Sequence, residues 1–184
     1  MKTFRYSKHF EFKNNTLEEV RPYDVCKRGS NANVYLVDDV AYVATIDQSK
    51  DLLQNVNSAF VPKVHKVGWT RIKRCGKWQD AGVYLMKRFR KPNAKNRKIA
   101  EIAKNIFFGL PNHIIQNSPL YDHVKDHEWM ADQCYAHELE EIQALGELIH
   151  ASTNYKGARM DFHSRNFMQD DEGNIQWIDM IYVP

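Results

Sequence analysis

Apolar residues follow two different rhythms along this chain. Between residues 34 and 46, β-branched and aromatic side chains fill two short runs, Val34-Tyr35-Leu36-Val37 and Val40-Ala41-Tyr42-Val43-Ala44-Thr45-Ile46, on either side of Asp38-Asp39. Such runs around an Asp-Asp turn predict a hairpin. Val61 to Trp69 and Gly82 to Met86 read as two further strands with a basic loop, 71–78, between them, so a small antiparallel sheet is expected. A short helix over Lys50–Asn57 lies between the strand pairs. After Pro92 the rhythm turns helical. Ile99, Ile102, Ala103, Ile106 and Phe107 take the i, i+3, i+4, i+7, i+8 spacing of one helix face, with Asn93 as a cap and Gly109-Leu110-Pro111 as a stop. Ser118-Pro119 starts a second helix to about Gln133. Leu139, Ile142, Leu145, Leu148 and Ile149 mark a third, ending near Ala151. Residues 1–24 are polar with Phe4, Tyr6, Phe10 and Phe12 at short spacing, which suits a strand or an ordered arm. The fold class expected is α+β.

The chemistry concentrates near the C-terminus, in Arg159-Met160-Asp161-Phe162-His163-Ser164-Arg165-Asn166-Phe167-Met168 and in Asp179 after the apolar run Ile175–Ile178. The segment from Asp161 to Asn166 is too short for a helix between two β-prone runs, so it reads as a loop. Asp170-Asp171-Glu172-Gly173-Asn174 then supplies a hairpin turn that returns Asp179 to the side of Asn166. Phosphoryl transfer needs these residue types. One carboxylate, Asp161, orients an attacking hydroxyl and takes its proton; an amide, Asn166, and a second carboxylate, Asp179, offer the hard oxygen ligands that Mg²⁺ prefers.

This stretch resembles the catalytic loop and metal-binding aspartate of the protein kinase and aminoglycoside phosphotransferase superfamily, where D-x-x-x-x-N precedes a second aspartate. With His163 two residues after Asp161 it is similar to the small-molecule phosphotransferase form, and most of all to the early serine/threonine kinases of enterobacterial podoviruses. The resemblance covers residues 26–184. It implies a minimal two-lobed protein-kinase-like fold: an arm over 1–25, an N-lobe over 26–86, a hinge over 87–93 whose backbone faces adenine, and a C-lobe over 94–184. It implies ATP and Mg²⁺ as cofactors, His163 near the γ-phosphate, and a nucleotide site drawing on Gly29, Ser30, Val34, Met86 and Met168. It further implies transfer to a protein hydroxyl of a host factor in the host cytoplasm. The chain departs from the pattern on the third strand, where a phosphate-gripping lysine belongs. The expected place falls within Ala44-Thr45-Ile46, and no glutamate occurs from Asp47 through Pro62 to brace such a lysine. With five residues after Asp179, the segments on which protein kinases dock peptides are not expected. A catalytically inactive pseudokinase that binds and inhibits a host protein is therefore the alternative.

Composition adds bounds. With 184 residues, 43% hydrophobic and 27% charged, the chain has the length and balance of one globular domain. Nothing approaches a membrane-spanning apolar run or a signal-peptide core, so the expected location is cytoplasmic with no membrane partner. Cys26, Cys75 and Cys134 are odd in number and far apart, which suits reduced thiols. The net charge of +3 is unevenly spread: after residue 136 there are nine acidic side chains against three basic ones, so the front is basic. Basic runs at 71–77, 87–91 and 95–98, with Trp78 and Phe89, make nucleic acid a third class of partner. His123, His127, Cys134 and His137 have spacing that a zinc site could use, but eight histidines scattered along the chain read as helix-surface positions.

Overall fold

A computed structural model describes residues 11–12, 25–107, 128–131, 134–155 and 157–183. It is α+β, and the chain divides into two compact units, Met1–Asp51 with Lys63–Arg88 and Leu52–Pro62 with Phe89–Pro184. The segment 52–62, expected within the first unit, groups with the second. Its backbone explains the exchange: the Phe60 carbonyl accepts the Trp177 N–H at 2.9 Å, and the Ala59 carbonyl accepts Gln176 Nε2 at 2.7 Å.

The first unit is built on six antiparallel strands: β1 (Glu11–Phe12), β2 (Val25–Arg28), β3 (Ala32–Val37), β4 (Val40–Thr45), β5 (Val64–Arg74) and β6 (Lys77–Lys87), in the order β1-β5-β6-β4-β3-β2. Alternation puts Tyr35, Ala44, Ile72, Ala81 and Val83 on one face as a core, where they are shielded from water. The β3–β4 turn falls on Asp38-Asp39, with Asp38 at φ 49°. Residues 71–78, expected as a loop, are strand on both sides of a two-residue turn at Cys75-Gly76. Both turn residues have positive φ, 47° and 79°, the backbone twist that suits a tight hairpin. A single aliphatic, Ile72, carries the buried face there and is fully buried. The cations flanking it hide the alternation in the sequence.

Helix α1 (Ser49–Leu53) is shorter than expected. Its start is held by Asp47, whose carboxylate accepts the Ser49 N–H at 2.8 Å and the Ser49 hydroxyl at 2.9 Å.

The second unit holds α2 (Ala94–Phe107), α3 (Glu128–Ala131) and α4 (Ala136–Ser152), with two short ribbons, β7 (Arg159–Met160) against β10 (Ile181–Tyr182) and β8 (Phe167–Gln169) against β9 (Ile175–Trp177). Ile99, Ala103 and Phe107 of α2 and Ile142, Leu145, Leu148 and Ile149 of α4 are buried, as their helical spacing predicts. Asn93 caps α2, its Oδ1 accepting the Asn96 N–H at 2.8 Å. Two charged pairs join these helices at the surface of the core, Lys95 with Glu141 at 3.2 Å and Lys98 with Glu138 at 3.4 Å. Trp177 is fully buried and donates Nε1–H to the Glu141 carbonyl at 2.7 Å, which seats the β8–β9 ribbon on α4. Of the predicted second helix only 128–131 is described as helical; the remainder lies outside the described residues, as do residues 1–10 and 13–24 of the arm. Among the described residues no helix is long and apolar enough to cross a membrane.

Candidate phosphoryl-transfer loop

The residues from Asp161 to Asn166 fold into two successive tight turns: the His163 N–H donates to the Asp161 carbonyl and the Asn166 N–H to the His163 carbonyl, both at 2.8 Å. The Asn166 side chain closes the loop from inside, its Nδ2 donating to the Asp161 carbonyl at 3.0 Å. That choice leaves the amide oxygen Oδ1 as the acceptor end of a side chain only 9% exposed. Phe162 anchors the loop from below by stacking on Phe107 of α2, with ring centroids 6.2 Å apart.

The same loop is bonded to the strand that carries Asp179. The Asn166 carbonyl accepts the N–H groups of Ile178 at 3.2 Å and Asp179 at 3.0 Å, and the Asp161 N–H donates to the Met180 carbonyl at 2.8 Å. Pairing of β7 with β10 continues this register one residue beyond each side, Met160 with Ile181. The turn that returns the chain is built by Asp170, which accepts the Asn174 N–H at 2.7 Å and its Nδ2 at 3.1 Å, with Gly173 at φ 88° where only glycine is unstrained. Asp161, Asn166 and Asp179 are thus held in one hydrogen-bonded piece of backbone within the second unit. The Asp161 side chain is exposed and Asp179 is half-buried.

His163 is exposed, and its Nδ1 accepts the Arg165 N–H at 3.2 Å and lies 3.4 Å from Arg165 Nε. With Nδ1 accepting, the neutral ring carries its proton on Nε2.

Asp161, Asn166 and Asp179 carry hard oxygens of the kind Mg²⁺ takes. Among the described residues no three His, Cys, Asp or Glu side chains gather into a metal site of their own. Of the zinc candidates, His123 and His127 lie outside the described residues, and the exposed His137 is engaged with Glu138 at 3.4 Å.

The other site residues expected from the sequence fall in both units. Gly29 and Ser30 form an exposed turn between β2 and β3, in which the Gly29 N–H donates to the Ala32 carbonyl at 2.7 Å. Val34 pairs with Val43, and the buried Met86 pairs with Ala41 and Val64. Those four belong to the first unit, and Met168 of β8, half-buried and paired with Gln176, belongs to the second. At two positions of the segment expected as a hinge the backbone N–H is already bonded. The Arg88 N–H donates to the Asp39 carbonyl at 2.7 Å, and Arg90 exchanges N–H···O bonds with Gln169 at 2.8 and 3.0 Å. Those groups are engaged within the protein and do not offer themselves to a purine.

The third-strand position expected to carry a lysine has none, and a lysine–carboxylate pair is found elsewhere in the first unit. Within Ala44-Thr45-Ile46 there is no cation, and the Thr45 hydroxyl donates to the Asn31 carbonyl at 3.2 Å. Yet Lys66, from β5, places Nζ 3.2 and 3.3 Å from the two carboxylate oxygens of Asp51 on α1, and the Tyr84 hydroxyl donates to Asp51 Oδ1 at 2.9 Å. A bulge between Lys66 and Gly68 turns Lys66 to the face of Trp69, whose ring lies 4.1 Å from the ammonium. No periodic signal in the sequence marks that bulge.

Comparison with protein-family models, with curated proteins and with solved structures finds nothing that matches this chain.

Proposed function

We propose that the chain is an ATP-dependent phosphotransferase of the protein-kinase-like type, with its chemistry on the Asp161–Asn166 loop and Asp179. The observation that carries this reading is the bonding of Asn166 to Asp179 and of Asp161 to Met180. It supports the reading because Asp161, Asn166 and Asp179 then belong to one hydrogen-bonded piece of backbone, with the sequence spacing that the superfamily uses. In this reading Asp161, exposed at the loop's start, orients the acceptor hydroxyl and takes its proton. His163 offers its Nε2–H to the phosphoryl oxygens. Asn166 and Asp179 would hold Mg²⁺, which when bound neutralises charge on the phosphates. The two-lobed kinase-like architecture belongs to the same proposal. It is supported by an antiparallel sheet unit followed by a helical unit that ends in the loop and two ribbons.

A second reading is favoured by one specific set of contacts. No lysine stands within Ala44-Thr45-Ile46, where one is expected, and the Arg88 and Arg90 N–H groups are bonded within the protein. A pseudokinase that retains the loop but binds a partner protein would have those features.

One experiment separates them. Purified full-length chain is incubated with γ-labelled ATP and Mg²⁺ on a generic hydroxyl-bearing protein, alongside Asp161→Asn, and thermal stability is read with and without nucleotide. Label transfer lost in Asp161→Asn is the expected result. Nucleotide at about a hundred times Kd adds roughly 2.7 kcal/mol of stability. No transfer and no thermal shift would favour the binding module, and transfer that survives Asp161→Asn would remove the catalytic assignment.

A further inference from the structure

The β5–β6 ribbon has an outward face for which phosphoryl transfer has no use. β4 accompanies β6 only as far as Thr45–Gly82, whereas β5 and β6 stay paired to Arg74–Lys77. One face of this extension is packed: Thr70, Ile72 and Ala81 are buried, and Arg74 donates to Asn33 Oδ1 at 2.9 Å. The opposite face carries the cross-strand pairs Trp69–Gly82, Arg71–Asp80 and Lys73–Trp78. Trp69 is 52% exposed and Trp78 38%. Along the two strands stand Lys66, Arg71, Lys73, Arg74, Lys77 and Lys87 against Asp80 as the single acid.

We propose that this face binds single-stranded nucleic acid, with Trp69 and Trp78 each stacking a base, and with Lys73 beside Trp78 and Arg71, 3.8 Å from Asp80 between the indoles, contacting phosphates. The register places the two indoles four residues apart along the ribbon, roughly 13 Å. That is too far to clamp one ring and suits two separate bases with charge between. Lys66 lies over one side of the Trp69 ring, 4.1 Å from its centroid, so a base stacks on the other. Aromatic platforms interleaved with cations recognise any single strand, because every base has a π-face and every nucleotide a phosphate. A protein partner fits less well. Among the described residues the Arg71–Asp80 pair separates the two indoles on that face, so a dry contact would bury those charges along with them. An anionic stretch that binds by charge alone has no use for the indoles.

The test uses the full-length protein and fluorescein-labelled twenty-nucleotide oligo-dT and oligo-U, read by anisotropy across a salt series, with polyglutamate as competitor. Binding is expected for both oligomers, with log K falling linearly in log salt. Trp69→Ala and Trp78→Ala should each weaken it at least about fivefold while Trp69→Phe retains most of it. Lys73→Gln should reduce the salt slope by about 0.7. Both indoles are well exposed, and unchanged melting temperatures would show that the variants fold. Failure of either oligomer to bind, binding indifferent to both tryptophan substitutions, or displacement by polyglutamate as effective as by unlabelled oligomer would overturn the proposal.

Discussion

Asp179 donates its backbone N–H to the carbonyl of Asn166 across 3.0 Å, and that oxygen also takes the N–H of Ile178. The bonds belong to the backbone, so side-chain substitutions at Asp161 and Asp179 leave them in place. On the proposed phosphotransferase reading, Asp161→Asn and Asp179→Asn should keep the parent's circular dichroism spectrum while phosphoryl transfer falls at least about 10²-fold. Asn166→Ala should differ. It removes the Nδ2 donor from the Asp161 carbonyl inside the loop, and stability should drop by about 1 kcal/mol in urea titration together with the activity.

Lys66 and Asp51 form a pair whose side chains are 26% and 28% exposed. Water screens such a pair, so a double-mutant cycle of Lys66→Met with Asp51→Asn should return a coupling of only about 0.5–1 kcal/mol in chemical denaturation. If the pair serves the nucleotide, Lys66→Met should also erase the ATP-dependent thermal shift, a loss well beyond what the coupling accounts for. A retained shift would leave the pair as a brace between α1 and the sheet.

Gly82 has no side chain because Tyr84 occupies the space. A β-carbon built there would stand 2.7 Å from the Tyr84 ring. Gly82→Ala therefore has to push Tyr84 off Asp51, and overpacking of this kind costs about 1–3 kcal/mol. A Gly82→Ala, Tyr84→Phe double variant should recover little, since the clash includes ring carbons. A Gly82→Ala, Tyr84→Ala pair should lose less than the two singles added together.

Local patterning made the sheet and the core of α2 and α4 legible. Val34–Val37 and Val40–Ile46 declare their hairpin, and Ile142, Leu145, Leu148 and Ile149 declare one buried helix face. The Asp161, Asn166 and Asp179 grouping was legible for a related reason, since the turn residues from Asp170 to Asn174 fix which strand returns. What sequence could not give came from non-local or irregular backbone. Ile72 is too isolated among cations to signal a strand, the bulge at Val67 redirects Lys66 without leaving a pattern, and 52–62 joins its unit through carbonyls rather than through its own periodicity.

Cys75 and Cys134 are free thiols in unlike places. Cys75 is exposed at the hairpin turn, whereas Cys134 is half-buried and its thiol is pushed up, first by burial and then by the Glu138 carboxylate. Because the thiolate is the reactive form, iodoacetamide at pH 8 should modify Cys75 well before Cys134 in peptide mapping by mass spectrometry. Glu138→Gln removes the repelling charge and should quicken Cys134 modestly, leaving Cys75 unchanged.

Asn93 works in two directions. Its Oδ1 accepts the Asn96 N–H at the start of α2, and its own N–H donates to Gln169 Oε1 at 2.6 Å. Asn96, fully buried, continues the connection by donating Nδ2 to the Gly173 carbonyl at 3.0 Å. The helix start is therefore tied to the β8–β9 turn that returns the chain to Asp179. Asn93→Ala should destabilise by about 0.5–2 kcal/mol, whereas Asn93→Ser, which keeps a capping oxygen, should lose much less. The backbone donor to Gln169 survives both changes, so Gln169→Ala combined with Asn93→Ser isolates the tie from the cap. If the tie steadies the turn, hydrogen exchange at the Asn174 amide should quicken in that double variant and stay near the parent rate in Asn93→Ser alone. Equal rates in both would confine the role of Asn93 to the helix.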